Sequence, residues 1–125
     1  MTIVVRAALT AALAAFAATA APAQDAVKAD PSHYSVLVDN AQVRVLRIRY
    51  APNETSIRHS HPNSVVVYLT DAHNKFLLGN GKTIERRGKA GEAAWSPAGV
   101  HTPTNLGKKP MDIILVELKG PGRVK

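Results

Sequence analysis

The chain has 125 residues, of which 46% are hydrophobic, which suits one domain with a buried core and excludes a disordered chain. It contains no cysteine, which excludes disulfides, thiolate zinc sites, cysteine nucleophiles and the thiol of a lipoprotein anchor. The formal net charge of +7 favours acidic small molecules, anionic lipid surfaces or polyanionic cell-envelope polymers as neighbours.

The N-terminus has the pattern of a secretory leader. One positive charge, Arg6, precedes a stretch that is almost entirely alanine, residues 7–23. The stretch ends in Ala-Pro-Ala, the small residues that signal peptidase needs, so we expect residues 1–23 to form a helical signal peptide cleaved before Gln24. An uncleaved membrane helix is the alternative, but this stretch is weakly apolar and barely spans a hydrocarbon core of about 30 Å. We expect a bacterial periplasmic or secreted protein with no stable membrane span after cleavage.

The rest of the chain has the pattern of an all-β domain. Short runs rich in β-branched residues alternate with turns rich in Gly, Pro, Asn and Asp, and no helical period follows the leader. Short strands at this spacing predict a β-sandwich or a β-barrel. The predicted strands cover residues 34–38, 43–50, 56–61, 65–70, 75–78, 83–86, 93–96 and 111–118. We assign residues 24–33 to an N-terminal extension, 34–119 to one β-domain and 120–125 to a C-terminal tail.

The last predicted strand is apolar on both faces at Ile113-Ile114-Leu115-Val116. Such a strand is either covered on both sides within its own domain or forms a contact between two copies of the chain. A homodimer is therefore one of two interpretations of this strand.

Three histidines form the candidate metal site. His59 and His61 lie two residues apart on a predicted strand, so both imidazoles project from the same face and can converge on one point. Neutral imidazole nitrogens suit Fe, Zn, Ni and Cu, and His101 is the candidate third ligand. The alternative interpretation places surface histidines beside a strand end. Glu54 and Glu92 are candidate bases if the fold brings them near the histidines.

The residues around these histidines resemble the motifs of the cupin superfamily. Its second motif runs Gly, five residues, Pro-x-Gly, two residues, His, three residues, Asn. The chain is similar at Gly91, Pro97, Gly99, His101 and Asn105, with one residue fewer between Gly99 and His101. Its first motif has His-x-His followed by a glutamate, and His59 and His61 match the histidines, whereas Val65 and Val66 occupy the expected glutamate positions.

This resemblance implies an all-β fold, a cupin-type jelly-roll β-barrel, following the signal helix. It implies one divalent metal ion in the barrel mouth, with His59, His61 and His101 as its protein ligands. Three-histidine sites occur in some cupin-type iron dioxygenases, so iron is the first expectation and Zn, Ni or Cu are the alternatives. Three protein ligands leave coordination positions open beside the metal.

The sequence favours two functions over a third, a dimerisation scaffold with a vestigial pocket. The first is a metal-dependent oxygenase or isomerase that acts on a small organic acid. The second is a non-catalytic barrel that binds or senses a small ligand without metal, which the missing glutamate favours. We expect a small anionic ligand, because an arginine facing the barrel mouth would select a carboxylate or phosphate. Arg58 is the nearest arginine in sequence, but strand alternation turns it away from the histidines. The 5% aromatic content and the absence of a recognition motif argue against nucleic-acid binding.

Overall fold

The computed structural model describes residues 23–120, which form strands and one short helix, and the predicted all-β class is confirmed. The elements are β1 (Gln24–Asp25), α1 (Ala26–Ala29), β2 (Tyr34–Asp39), β3 (Val43–Tyr50), β4 (His59–His61), β5 (Ser64–Tyr68), β6 (Ala72–Leu78), β7 (Thr83–Gly88), β8 (Ala93–Ser96), β9 (Gly99–Asn105) and β10 (Met111–Leu118). Of the predicted leader only Ala23 is among the described residues, and residues 121–125 of the predicted tail also lie outside them.

The strands form two five-stranded sheets. Sheet A has the order β1-β4-β9-β6-β7, and sheet B has the order β2-β3-β10-β5-β8. The last strand, β10, lies at the centre of sheet B between β3 and β5, and its pairing with β3 is antiparallel over the full length of both strands. Strand orders of this kind, in which neighbours in a sheet are distant in sequence because the chain crosses between the two sheets, are typical of a jelly roll.

The hydrophobic core is built by the inward faces of the sheets. Along β10, fully buried residues alternate with half-buried ones, as expected for a strand with one face on the core. Leu46 and Ile48 of β3 pair directly with Leu115 and Ile113 of β10, and all four are buried. The same inward face continues to polar residues, because Glu117 follows Leu115 on β10 and is only 2% exposed.

The structure contains one long strand that the sequence pattern does not predict, β9. It begins at Gly99 and includes Pro103, and both residue types are rare in the interior of strands. The N–H of Ser56 donates to the carbonyl oxygen of Pro103 at 3.0 Å. Since the N and O of a residue in an extended strand point to the same side, the missing N–H of Pro103 falls beside the irregular segment before β4, where no ladder needs it. For the same reason β4 is shorter than its predicted range, 56–61.

The residues before β2, predicted as an N-terminal extension, contribute to sheet A. Strand β1 pairs in parallel with β4, which places Gln24 opposite His59. The Asp25 side chain then caps α1, since its Oδ1 accepts a hydrogen bond from the N–H of Val27 at 3.1 Å. Ala26 is completely buried against the core. No helix within residues 23–120 has the length and apolarity needed to cross a bilayer.

Candidate metal centre

The three histidines predicted from the sequence lie together at one end of the barrel. His59 and His61 project from β4 and His101 projects from the neighbouring strand β9, where it is directly opposite His59. One ligand nitrogen from each ring lies within 4.8 Å of the others. His59 is fully buried and His61 is 9% exposed. The single residue between Gly99 and His101 thus leaves the His101 side chain on the same face as the other two.

Hydrogen bonds determine which ring nitrogen of two histidines faces the centre of the cluster. His59 Nδ1 lies 2.6 Å from the carbonyl oxygen of Ile57, and a carbonyl can only accept, so Nδ1 carries the proton. His61 Nδ1 donates in the same way to Glu117 Oε1 at 2.6 Å. The Nε2 atoms of both rings therefore present lone pairs to the centre. His101 Nε2 lies 3.1 Å from His59 Nε2, close to the separation of about 3–3.5 Å between two imidazole nitrogens on one ion.

Burial keeps His59 and His101 neutral, which is the state of an imidazole that binds a metal. Removal from water is the largest cause that lowers the pKa of His59 to about 4, and the positive charge that His61 would carry adds to it. Removal from water, followed by the proximity of His59 and His61, lowers the pKa of His101 to about 3. At neutral pH both rings keep an unprotonated nitrogen.

A series of hydrogen-bonded charged residues supports His61 at its Nδ1 atom. Glu117 Oε2 accepts a hydrogen bond from Arg44 Nε at 2.6 Å, and Arg44 also donates to Asp25. Burial alone would raise the pKa of Glu117, but the hydrogen bonds from His61 and Arg44 outweigh it and lower the pKa. A carboxylate that accepts the outer N–H of a histidine is the usual support of a metal-binding imidazole. The sequence analysis does not identify Glu117, although it is the one acidic residue in the apolar strand β10 whose inward position follows from alternation.

A second polar chain leads away from His59. The Tyr34 hydroxyl lies 3.0 Å from His59 Nε2 and is hydrogen-bonded to the hydroxyl of Tyr50. The Ser56 hydroxyl donates to Asp30 Oδ2 at 2.6 Å, and Asp30 accepts a further bond from His33 Nδ1 at 2.6 Å. Burial is the largest cause that raises the pKa of both Tyr34 and Tyr50, so these tyrosines stay protonated. Tyr34 thus places a neutral hydroxyl beside the histidine cluster.

His61 and His101 line a cavity of about 490 Å³, a size within the range of small-molecule sites. Its wall is mainly apolar and aromatic, and it includes Ile48, Val66, Phe76, Ile84, Trp95 and Leu115. Val66, at a position where the first cupin motif has its glutamate, faces this cavity. None of the described residues that line it is acidic, and Arg86 is the only one among them with a permanent charge.

The other charged residues considered from sequence do not line the cavity. Glu54 accepts a hydrogen bond from the N–H of Ala51 and one from His33 Nε2. Glu92 accepts one from the N–H of Lys89. Arg58 is also absent from the cavity wall, as alternation predicts, and the arginine at the mouth is Arg86 from β7. Neither candidate base is placed to act on a ligand in the cavity.

Several solved structures similar to this chain are described as cupin or double-stranded β-helix proteins. A cupin domain from Bordetella pertussis Tohama I is 24% identical with a TM-score of 0.64, and the match covers 70% of this chain and 92% of that one. A protein with a double-stranded β-helix domain from Klebsiella pneumoniae is 24% identical with a TM-score of 0.56, covering 70% of this chain and 76% of that one. An RmlC-like cupin from Methanocaldococcus jannaschii is 16% identical with a TM-score of 0.53, covering 68% and 79%. No protein-family model matches the sequence, and no curated protein is similar to it in sequence.

These similarities show the fold of the chain. The chain has the cupin fold, a double-stranded β-helix, and the predicted cupin-type barrel is confirmed. One end of this barrel holds three buried or half-buried histidines whose geometry fits a metal ion.

Proposed function

We propose that the chain is an exported cupin-fold protein that binds one divalent metal ion through His59, His61 and His101 and acts on a small organic acid. The observation that carries this proposal is the direction of the rings. Because the Nδ1 atoms of His59 and His61 donate to Ile57 and Glu117, their Nε2 lone pairs meet beside His101. Iron is the first expectation, with Zn, Ni or Cu as alternatives, since imidazole nitrogen suits all four.

The protein groups around the site have separate roles in this proposal. A bound ion would supply Lewis acidity and open coordination positions for a ligand. Glu117 holds the His61 ring in orientation, and the Tyr34 hydroxyl lies beside the His59 nitrogen that would face the ion. The apolar wall excludes water around the ligand. An oxygenase or an isomerase fits these features, because both use a metal with open positions in a water-poor cavity.

The second candidate function is a barrel that binds or senses a small ligand and performs no chemistry. It is favoured by Val66 in the position of a motif glutamate and by the absence of an acidic side chain among the described residues of the cavity wall. Under this proposal no described carboxylate is available in the cavity as a general base. Turnover of a small acid would exclude the second function, whereas tight binding without turnover would support it.

The deciding experiment is elemental analysis of the protein purified without a histidine tag. We expect near-stoichiometric metal in the natural chain and none in the double variant His59→Ala/His101→Ala. The matched control is His73→Ala, because His73 contacts the exposed Glu85 and lies outside the cluster. If the natural chain carries no metal after anaerobic loading with iron, zinc, nickel and copper in turn, the metal site is excluded and the ligand-binding barrel remains.

Export is tested on the mature protein. We expect the periplasmic or secreted fraction to contain a chain that starts at Gln24, as determined by N-terminal sequencing, because the Ala-Pro-Ala motif precedes this residue. A chain that retains Met1 in the cytoplasmic or membrane fraction would contradict this part of the proposal.

A further inference from the structure

Two cavity residues, Asn74 and Arg86, form a polar pair that the proposed metal site does not use. Asn74 of β6 and Arg86 of β7 are direct partners in the antiparallel register. Directly opposite residues project from the same face of a sheet with their Cβ atoms about 5 Å apart. Both residues line the cavity, so this face is the inner one.

Asn74 has an unused hydrogen-bond acceptor. The residue is only 5% exposed, and its Nδ2 donates to Met111 Sδ at 2.9 Å. Its Oδ1 is buried and has no hydrogen-bond partner among the described residues. Buried polar atoms are nearly always paired in folded proteins, so an unpaired acceptor on a residue that lines the cavity calls for a donor, which a molecule in the cavity can supply.

Arg86 has an unused positive charge. Arg44, Arg47 and Arg49 of β3 each contact an aspartate or glutamate, but no salt bridge involves Arg86 within residues 23–120. The guanidinium group of arginine matches a carboxylate in shape and can donate two parallel hydrogen bonds to it. The described part of the cavity wall contains no acidic residue, so no negative charge there repels a bound anion.

The remaining wall determines the body of the ligand. Phe76, Ile84 and Trp95 contribute apolar and aromatic surface to the same cavity. Burying apolar ligand surface against such a wall is favourable, whereas a ligand that is polar throughout would lose hydration without compensation.

We propose that the cavity binds an amphipathic hydroxy acid. Its carboxylate pairs with Arg86, its hydroxyl donates to Asn74 Oδ1, and its apolar body packs against the wall that includes Trp95. Because the two side chains are cross-strand neighbours, the hydroxyl lies within a few bonds of the carboxylate. This inference rests on the proposed function for one point, that the ligand is an acid, and it adds the class of that acid. It does not depend on the metal, because neither Arg86 nor Asn74 belongs to the histidine cluster.

The experiment uses Trp95, the only tryptophan in the chain, as an internal probe of the cavity it lines. Its fluorescence is titrated with mandelate, with phenylacetate, which lacks the hydroxyl, and with mandelamide, which lacks the charge. Every titration is made on chelator-treated protein and again on metal-loaded protein. We expect mandelate to bind at least about tenfold more tightly than either analogue in both states, as the loss of one charge-assisted or buried hydrogen bond predicts.

Variants assign the preference to the two residues. Arg86→Gln is expected to reduce the affinity for mandelate to that for mandelamide, and Asn74→Leu is expected to remove the preference of mandelate over phenylacetate. Arg87→Gln is the matched control, because Arg87 is the next residue of β7 and does not line the cavity. Thermal melting checks that each variant folds, and the ligand series on the natural chain decides the proposal even if Asn74→Leu does not fold.

The inference is overturned if the three probes bind the natural chain equally, if none binds, or if Arg86→Gln retains the affinity for mandelate. Its failure is separate from that of the metal site. Preferential mandelate binding by a chain that takes up no metal would retain this inference and remove the metal-dependent function, and stoichiometric metal with no preference among the probes would do the reverse.

Discussion

His61 of sheet A and Glu117 of sheet B are joined by a hydrogen bond of 2.6 Å across the barrel. The carboxylate nearest to the candidate ligands therefore supports an imidazole instead of pointing its oxygens into the cavity. Arg44 offsets its charge from the far side. The site combines three imidazole rings with one carboxylate in support, so no carboxylate would contact a bound ion directly and its positive charge could attract an anion.

Replacing Glu117 with Gln should weaken metal binding without preventing it. Glutamine keeps the size of the side chain but removes the negative charge that holds the Nδ1 proton of His61, and the loss of such support lowers metal affinity by about 10- to 100-fold. Competition with a coloured chelator measures the change. Glu85→Gln is the control, because Glu85 makes a similar contact with His73 outside the cluster. An affinity for Glu117→Gln equal to that of the control would show that Glu117 has no such role.

Replacing Arg44 with Met should destabilise the fold strongly. It leaves Glu117, which is 2% exposed, without its guanidinium partner, and breaking a buried ion pair from one side costs about 3–5 kcal/mol. Arg47→Met is the matched control on the same strand, since Arg47 pairs with Asp112 near the surface and its loss should cost far less. Urea unfolding measures both free energies. Equal losses for the two variants would contradict the importance of burial here.

Replacing Gly88 with Ala should destabilise the protein through steric contact. A Cβ atom at Gly88 would lie 2.4 Å from ring atoms of Tyr68, so the ring must move toward the cavity, and such overpacking costs about 1–3 kcal/mol. Gly99→Ala is the control, because a Cβ atom there meets no atom within 4 Å. Thermal and urea unfolding should detect the loss only at Gly88. A larger loss at Gly99, which is one of the two glycines that match the cupin motif, would overturn this account.

The stability of the fold should decrease at acidic pH through Asp30. Burial opposes ionisation of this carboxyl, but hydrogen bonds from Ser32, Ser56 and His33 outweigh it and lower its pKa from 3.8 to about 2. The group is then ionised more readily in the folded than in the unfolded chain. Its contribution, about 2 kcal/mol, is present above pH 3.8 and lost as the pH falls toward 2. The free energy of unfolding as a function of pH should lose this slope in Asp30→Asn, and an unchanged slope would exclude Asp30 as its source.

His33, which is hydrogen-bonded to Asp30, should make the stability of the fold decrease as the pH rises. Burial disfavours the charged form of His33, but its hydrogen bonds to Asp30 and Glu54 outweigh this and raise its pKa above 6.5. Its contribution is complete below pH 6.5 and is lost as the pH rises through the folded-state pKa. Tyr50, stacked on the His33 ring, stays neutral over this range. His33→Gln should flatten this part of the profile, and a profile identical to that of the natural chain would contradict the assignment.

Strand patterns predict much of this fold because β-branched runs and turn residues are local signals. The bounds of β3, β8 and β10 agree with the predicted ranges, and the spacing of His59 and His61 predicts their shared face. Strand β9 could not be predicted in this way. Its Pro103 is tolerated because the neighbouring segment before β4 is irregular, and this depends on tertiary structure and not on local sequence.

The residues that support the site also could not be identified from the sequence pattern. Glu117 contacts a histidine 56 positions away, and Asn74 and Arg86 become neighbours only through the pairing of β6 with β7. Arginines are frequent in this chain, and local alternation cannot tell which one reaches the barrel mouth. Packing between the two sheets brings Glu117 to His61, and the β6–β7 hairpin brings Asn74 and Arg86 to the cavity, and the motifs encode neither.

The central position of β10 in sheet B has a consequence for the order of folding. Among the described strands, β10 is the last to be synthesised and must insert between β3 and β5, and until then each of these two strands has an unpaired edge next to the core. His59 and His101 are 42 positions apart, and the contact of His61 with Glu117 also depends on this last strand. Closure of such long loops is slow. A partly synthesised chain therefore lacks the supported histidine cluster, and metal uptake in refolding experiments would report completion of the barrel.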